Sequence, residues 1–282
     1  MLSQSIDGSG TLRVMQTNEP PNVYLDHGIL MEMAEDSSLA NRFITTLKRR
    51  HGTLSLSWVN LAEFAKIENE RQIQTVERFV DTISPQLFFI AVDPWEVIQS
   101  EDEVVRRRHR PHSEWGDLDL LKVFVTRKVP QSLNPFTAEG LFSHLREPHI
   151  LHNLDKLGNL FMNQIESLRK HYVEDTEFAK AVRRRPQGSA LLPATRFLLH
   201  ELLGFSIKTP MQKLTRRDAA DFFHAVVPLA YCNYVGLDGH WATQASIAAK
   251  HLYQTGQIET IAQAFSQRQK GISKFLNAFE SD

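Results

Sequence analysis

Cysteine is nearly missing from this chain: Cys232 is the single one in 282 residues. A lone thiol excludes an internal disulfide framework and any zinc site built on several cysteines, and a reducing cytoplasm is the expected setting. Long apolar runs are missing too; no stretch of eighteen apolar residues occurs, so no membrane span is expected. The first twenty residues, with Ser3, Asp7 and Ser9, lack the apolar centre of a signal peptide and read as a loose leader, 1–20. Net charge is scarce as well. Thirty-two Lys and Arg against 33 Asp and Glu leave −1, which excludes bulk attraction of a polyanion. No period recurs, which excludes a solenoid.

What is present is ordinary for a soluble globular protein: 42% hydrophobic and 23% charged residues. The length suits one large domain or two small ones. Basic residues are gathered locally, at Lys48-Arg49-Arg50, Arg106-Arg107-Arg108 with Arg110, Arg183-Arg184-Arg185, and Lys213 with Arg216-Arg217. Any nucleic acid would have to be held by such clusters, although each alone is more often a solvated face.

Short β-prone runs at 22–26, 53–57, 87–92 and 232–238 alternate with helical patterns at about 37–50, 58–68, 71–83 and 94–107. This alternation predicts an α/β domain, 21–255, with a parallel sheet between two helical layers. Prolines 130, 135, 148, 186 and 193 punctuate helical stretches at 137–145, 151–171, 175–184 and 193–203. The region of about 112–210 therefore reads as a helical insertion. Helices are expected at 241–252 and 257–279, the last forming a C-terminal element, 256–282, exposed enough to serve as an oligomer or partner contact.

Ligands of open parallel sheets bind beyond the carboxyl ends of the strands. Asp26 and Asp238 both end predicted strands, where a carboxylate needs a helix N-terminus or a cation. Either alone is usually a turn or cap residue. Glu63 follows the second strand on a helix starting near Trp58, and its neighbours Leu61, Ala62, Phe64 and Ala65 raise the chance that it faces a shared pocket. Thr215 and Asp218 have capping-box spacing, which makes Asp218 a helix-start residue. Asp221 lies three residues on and His224 three further, on one helical face. His224 is expected to orient Asp221 or fill a polar core position rather than bind metal. Ser57 reads equally as a strand-end hydroxyl or as a partner for a ligand carboxylate or phosphate. Asn60 reads as a helix-surface residue, and Pro228 is expected to kink the late helix near His224.

The ordered set Leu25-Asp26-His27, Ser57 to Glu63, Asp221-x-x-His224-Ala225 and Leu237-Asp238 resembles the PIN domain family over about 22–95 and 213–250. The resemblance implies a PIN-like three-layer fold with the catalytic and metal-binding acids Asp26, Glu63, Asp221 and Asp238, supported by Asp218, His224 and Ser57. Their oxygen-only chemistry selects one or two Mg²⁺ or Mn²⁺ ions. The implied activity is endonucleolytic cleavage of single-stranded RNA, with Lys213, Arg216 and Arg217 on the phosphate backbone. A toxin with a neutralising protein partner is one form such a nuclease takes. The departures from the family are the long insertion and Pro228.

Three other readings compete. A catalytically silent PIN-like module would bind RNA or protein without cleavage. A phosphatase with an aspartate nucleophile usually wants a second aspartate two residues on, where this chain has Gly28. The pairs His109/His112 and His149/His152 have metal-like spacing but no nearby cysteine, and read as surface or core histidines.

Overall fold

A computed structural model describes residues 1–9, 12–106, 116–117, 137–138, 142, 146, 148–184, 194–209, 211, 213, 215–254, 261–268 and 270–281. Five parallel strands form its centre: β3 (Asn22–Leu25), β4 (Thr53–Leu56), β5 (Leu87–Phe89), β6 (Tyr234–Leu237) and β7 (Gln263–Ser266), in the order β5-β4-β3-β6-β7. β3, β4 and β6 are buried at every position, as strands covered by helices on both faces must be.

Alternation along the strands sorts their side chains between two cores. Val23, Leu25, Leu54 and Leu56 face α1 (His27–Glu35), α2 (Ser37–Arg49), α4 (Glu70–Thr82) and α11 (Gly271–Ser281). Tyr24, Phe88, Val235 and Leu237 face the other layer, where α9 (Arg216–Tyr231) and α10 (Gly239–Gln254) pack. α3 (Trp58–Ala65) and α5 (Pro94–Arg106) connect the β4 and β5 side.

The region expected to be an insertion is built into the second core. Of it, α6 (Pro148–Glu174), α7 (Thr176–Arg183) and α8 (Ala194–Lys208) are described. Phe161 and Ile165 of α6 and Phe197, Leu198 and Leu202 of α8 pack with Phe222 and Phe223 of α9 in a single apolar cluster. Most of the expected helix over 137–145, of which Ala138 and Phe142 are helical, the arginines 107, 108, 110 and 185, and His109 and His112 lie outside the described residues.

Two expectations are corrected. Residues 1–20 are not a loose leader: β1 (Leu2–Ile6) and β2 (Leu12–Gln16) form an antiparallel hairpin. The Gln16 amide donates to the Phe89 carbonyl at 3.1 Å and accepts from the Phe89 N–H at 2.9 Å, satisfying backbone groups of the edge strand β5. The C-terminal segment is not helical from 257, because β7 occupies Gln263–Ser266 before α11 begins. The late helix continues through Pro228 to Tyr231.

Candidate functional site

The chain leaves β3 toward β4 and β5 on one side and returns through β6 and β7 on the other. The β3/β6 junction is therefore the switch point of the sheet, where strand-end loops diverge and leave a crevice. The Asp26 N–H donates to the Gly236 carbonyl at 2.9 Å, so the carboxyl ends of β3 and β6 are tied together there. Both strands end on an aspartate that caps the next helix: Asp26 Oδ1 accepts from the Ile29 N–H at 2.9 Å, and Asp238 Oδ1 from the Trp241 N–H at 2.8 Å.

A cavity of about 360 Å³ opens at this crevice. Asp26, Glu63 and Asp221 line it together, with His224 at its wall and Arg217 at its rim. Asp238 is not among the lining residues, yet its charge acts on both Asp26 and Asp221. Four acidic positions from β3, α3, α9 and β6 thus share one electrostatic environment. Among the described residues, no three His, Cys, Asp or Glu side chains stand in metal-ligating geometry.

The charge balance follows from burial. Desolvation pushes the Asp26 carboxyl up to about 6; Glu63 and Asp238 add to it, while His224 and the Ile29 N–H oppose it. Asp221 is pushed up to about 7, again chiefly by desolvation and then by Asp238 and Glu63, against His224 and Arg217. Glu63 behaves differently. Desolvation raises it, but the charge and hydrogen bond of His224, with His27 and Arg217, outweigh that and hold it below the ordinary glutamate value. Desolvation lowers His224, and Glu63, Asp26 and Asp221 more than reverse it, so this histidine sits above its usual value.

His224 is therefore biased toward its charged form, and it fills a buried polar core position, one of the two roles expected of it. It does not hydrogen-bond Asp221. Its Nε2 lies 2.9 Å from Glu63 Oε2 and its Nδ1 2.5 Å from the Tyr24 hydroxyl. With the ring doubly protonated, one N–H donates to the Glu63 carboxylate and the other to Tyr24 Oη. Tyr24 then donates to Ser57 Oγ at 2.8 Å, and Ser57 to Asn60 Oδ1 at 3.1 Å. The Asn60 amide closes the chain by donating to the Leu25 carbonyl at 3.0 Å, one residue before Asp26.

Ser57 and Asn60 thus read differently in three dimensions. Ser57 is a buried N-cap engaged by Tyr24 and Asn60, not a contact for a ligand carboxylate or phosphate. Asn60 is fully buried rather than on the helix surface; it completes the capping box and ties α3 to the end of β3. Asp218 is a cap, accepting from the Thr215 N–H at 2.7 Å. Of the three basic residues on the approach to α9, Arg217 reaches the cavity, its Nε 4.0 Å from Asp221 Oδ2. Arg216 turns to Asn159 at 3.1 Å, and Lys213 is exposed and does not line the cavity.

Three lining residues carry no strong sequence signal. His27 neighbours Asp26 in the chain, and its ring packs on Phe64 with centroids 4.9 Å apart. Gln267 arrives from the end of β7, an element the sequence pattern did not disclose. Gly28 leaves room for it, since a Cβ there would stand 2.9 Å from Gln267 Oε1. No family model, curated protein or solved structure matches the chain.

Proposed function

We propose that the chain is a metal-dependent endonuclease of the PIN-like type that hydrolyses phosphodiester bonds of single-stranded RNA. The observation carrying this reading is the meeting of Asp26, Glu63 and Asp221, from three separate elements, in one cavity at the switch point, with Asp238 close enough to perturb two of them.

The donor set fits a hard cation. It offers carboxylate oxygens and no thiolate, and the raised Asp26 and Asp221 mark a site short of positive charge. Asp26, Glu63, Asp221 and Asp238 would hold one or two Mg²⁺ or Mn²⁺ ions. Such an ion supplies an activated water and charge stabilisation at the leaving oxygen. The chain's own residues do the rest. His224 and Tyr24 fix the Glu63 carboxylate in one orientation, so it meets ligands without reorganising. Arg217 offers a largely exposed guanidinium to a substrate phosphate at the rim. His27 and Gln267 line the cavity with further polar groups.

One observation favours a second reading, a catalytically silent PIN-like module that binds RNA or protein. Asp26 and Asp238 already serve as helix caps, and no described trio stands in ligating geometry.

Cleavage of a labelled single-stranded RNA with Mg²⁺ or Mn²⁺ separates the two. The nuclease reading expects metal-dependent cleavage that falls at least about 100-fold in Asp26→Asn and in Asp221→Asn, the scale of losing a major electrostatic contributor. Undiminished cleavage in either variant sinks the site; RNA affinity with no cleavage under any metal supports the binding module.

A further inference from the structure

A second cavity, of about 340 Å³, opens near the same edge of the sheet, beyond the ends of β4 and β5. Its walls are aromatic. Trp58 opens α3, Trp95 opens α5, and Phe161 of α6 and Phe223 of α9 complete it. The rings are mutually braced: Trp58 and Phe223 have centroids 5.7 Å apart, Phe161 and Phe223 5.0 Å, and Trp95 and Phe161 6.1 Å. Phe161 and Phe223 are buried, whereas both indoles are only half-buried and border the opening.

The polar groups at this cavity are Asp93, Glu96 and Gln164. Two are carboxylates, so the rim repels phosphate and favours hydrogen-bond donors. Asp93 holds the start of α5, accepting through Oδ1 from the Trp95 N–H at 2.9 Å, which fixes the Trp95 backbone beside the opening. A slot with aromatic walls, an acceptor-rich rim and a volume at the small end of ligand pockets fits a flat ring carrying an amino group.

The slot is coupled to the carboxylate cavity by shared elements. α3 carries Trp58 at its start and Glu63 five residues on, about 7.5 Å along the helix axis. α9 carries Phe223 beside His224. The two cavities also sit at neighbouring strand ends along one sheet edge, with strands about 4.8 Å apart. A single strand crossing that edge reaches both within a few nucleotides.

Resting on the nuclease reading for the identity of the strand, we propose that the Trp58–Trp95 cavity is a base-stacking subsite that takes a nucleobase bearing an exocyclic amino group, flanking the phosphate at the carboxylate cavity. Stacking supplies affinity, and the Asp93 and Glu96 rim discriminates cytosine, whose N4 is a donor, from uracil, whose corresponding oxygen is an acceptor.

The test is equilibrium binding of the full chain in EDTA, where no cleavage is required, to labelled hexacytidylate, hexauridylate and an abasic ribose-phosphate hexamer. Hexacytidylate is expected to bind about 10-fold or more tighter than the abasic strand and several-fold tighter than hexauridylate. Trp95→Leu, which keeps apolar volume but loses the ring, should erase most of the advantage over the abasic strand with an unchanged circular-dichroism spectrum. Glu96→Gln should narrow the gap between cytidine and uridine. Equal binding of hexacytidylate and the abasic strand, equal binding of the two pyrimidine strands, or a wild-type affinity in Trp95→Leu overturns the proposal. Failure of cleavage with metal strikes the nuclease reading alone, because the order of affinities in EDTA does not depend on it.

Discussion

Tyr24 carries its hydroxyl into a fully buried position, and burial holds that phenol well above its ordinary value. It stays a neutral donor, which is why it can link His224 to Ser57. Removing His224 takes a partner from two groups at once, the buried Tyr24 hydroxyl, which keeps Ser57, and the partly buried Glu63 carboxylate. His224→Ala is expected to cost about 3 kcal/mol in a urea titration, and Tyr24→Phe about 1 kcal/mol. A Tyr24→Phe chain as unstable as His224→Ala would show that the histidine's worth lies in packing rather than in its charge. The same residues give the metal-free protein a pH dependence. Asp26 and Asp221 bind protons more tightly folded, at about 6 and 7, than unfolded near 3.8. Their contribution favours the folded state in acid and is lost as pH rises from about 4 to 7. His224, also raised, adds stability below its unfolded value that is lost as pH climbs through the folded one. Glu63, lowered, acts the other way, losing its contribution only as pH falls through its folded value. The metal-free chain should therefore be less stable at pH 8 than at pH 5, by on the order of 3 kcal/mol. Asp221→Asn should flatten that slope, and saturating Mg²⁺ or Mn²⁺ should restore about 3 kcal/mol at pH 8 and far less at pH 5. Equal stability at the two pH values, by urea titration in EDTA, contradicts the charge assignment.

At the scale of elements, what the sequence disclosed and what it hid follow from length and burial. β3, β4, β5 and β6 announced themselves as short apolar or β-branched runs because both faces are covered. β7, Gln-Ala-Phe-Ser, lies at the sheet edge with no fully buried position, so it presents no apolar run to read. With β7 hidden, Gln267 was hidden too. Asp26 and Asp238 were legible because position after a strand marks them, and Glu63 because its neighbours are apolar. The partner of His224 was not legible, because Glu63 stands 161 positions away and no local pattern pairs them. Asn60 was misread for a related reason: its amide serves a carbonyl 35 residues back, which no helical periodicity reveals. Two glycines show how closely the elements around the site are seated. In β6, a Cβ at Gly236 would stand 2.7 Å from Ile29 Cδ1 and 2.8 Å from Leu25 Cδ2, so β6, β3 and α1 meet there without spare room. At Gly271 a Cβ would fall 1.5 Å from the Ser266 carbonyl oxygen, a backbone atom that cannot step aside. Gly236→Ala is accordingly expected to lose about 1–2 kcal/mol through side-chain adjustment. Gly271→Ala should lose more than about 3 kcal/mol, because α11 must swing off the end of β7. Thermal melts of the two variants rank them, and the reverse order would contradict this seating of α11.

Across the whole molecule, several basic residues are engaged within the fold. Arg50 donates to the Phe279 carbonyl at 2.7 Å and covers the Phe279 ring, and Arg49 donates to the Glu280 carbonyl at 3.2 Å. Arg42 completes the clamp on Glu280 at 2.8 Å. This cluster caps the last turn of α11, whose orphan carbonyls need donors, and it is committed to the fold. Arg183 lies over Tyr172, and Arg216 is turned to Asn159. Among the described Lys and Arg residues, Arg217 is the one that lines the carboxylate cavity, on a chain whose formal net charge is −1. On the proposed function, few phosphates are neutralised at once at that cavity, and the salt dependence of RNA binding is expected to be shallow. For single strands the slope of log affinity against log salt is about −0.7 for each phosphate contact, so a value between about −1 and −2 is expected. Arg217→Ala should flatten it by about 0.7 and weaken binding to every sequence alike. Arg50→Ala should leave the slope unchanged and lower the melting temperature by a few degrees, through loss of its carbonyl bond and ring contact. A slope steeper than about −4, or one that Arg217→Ala leaves untouched, would place the phosphate contacts on other residues and remove Arg217 from the site.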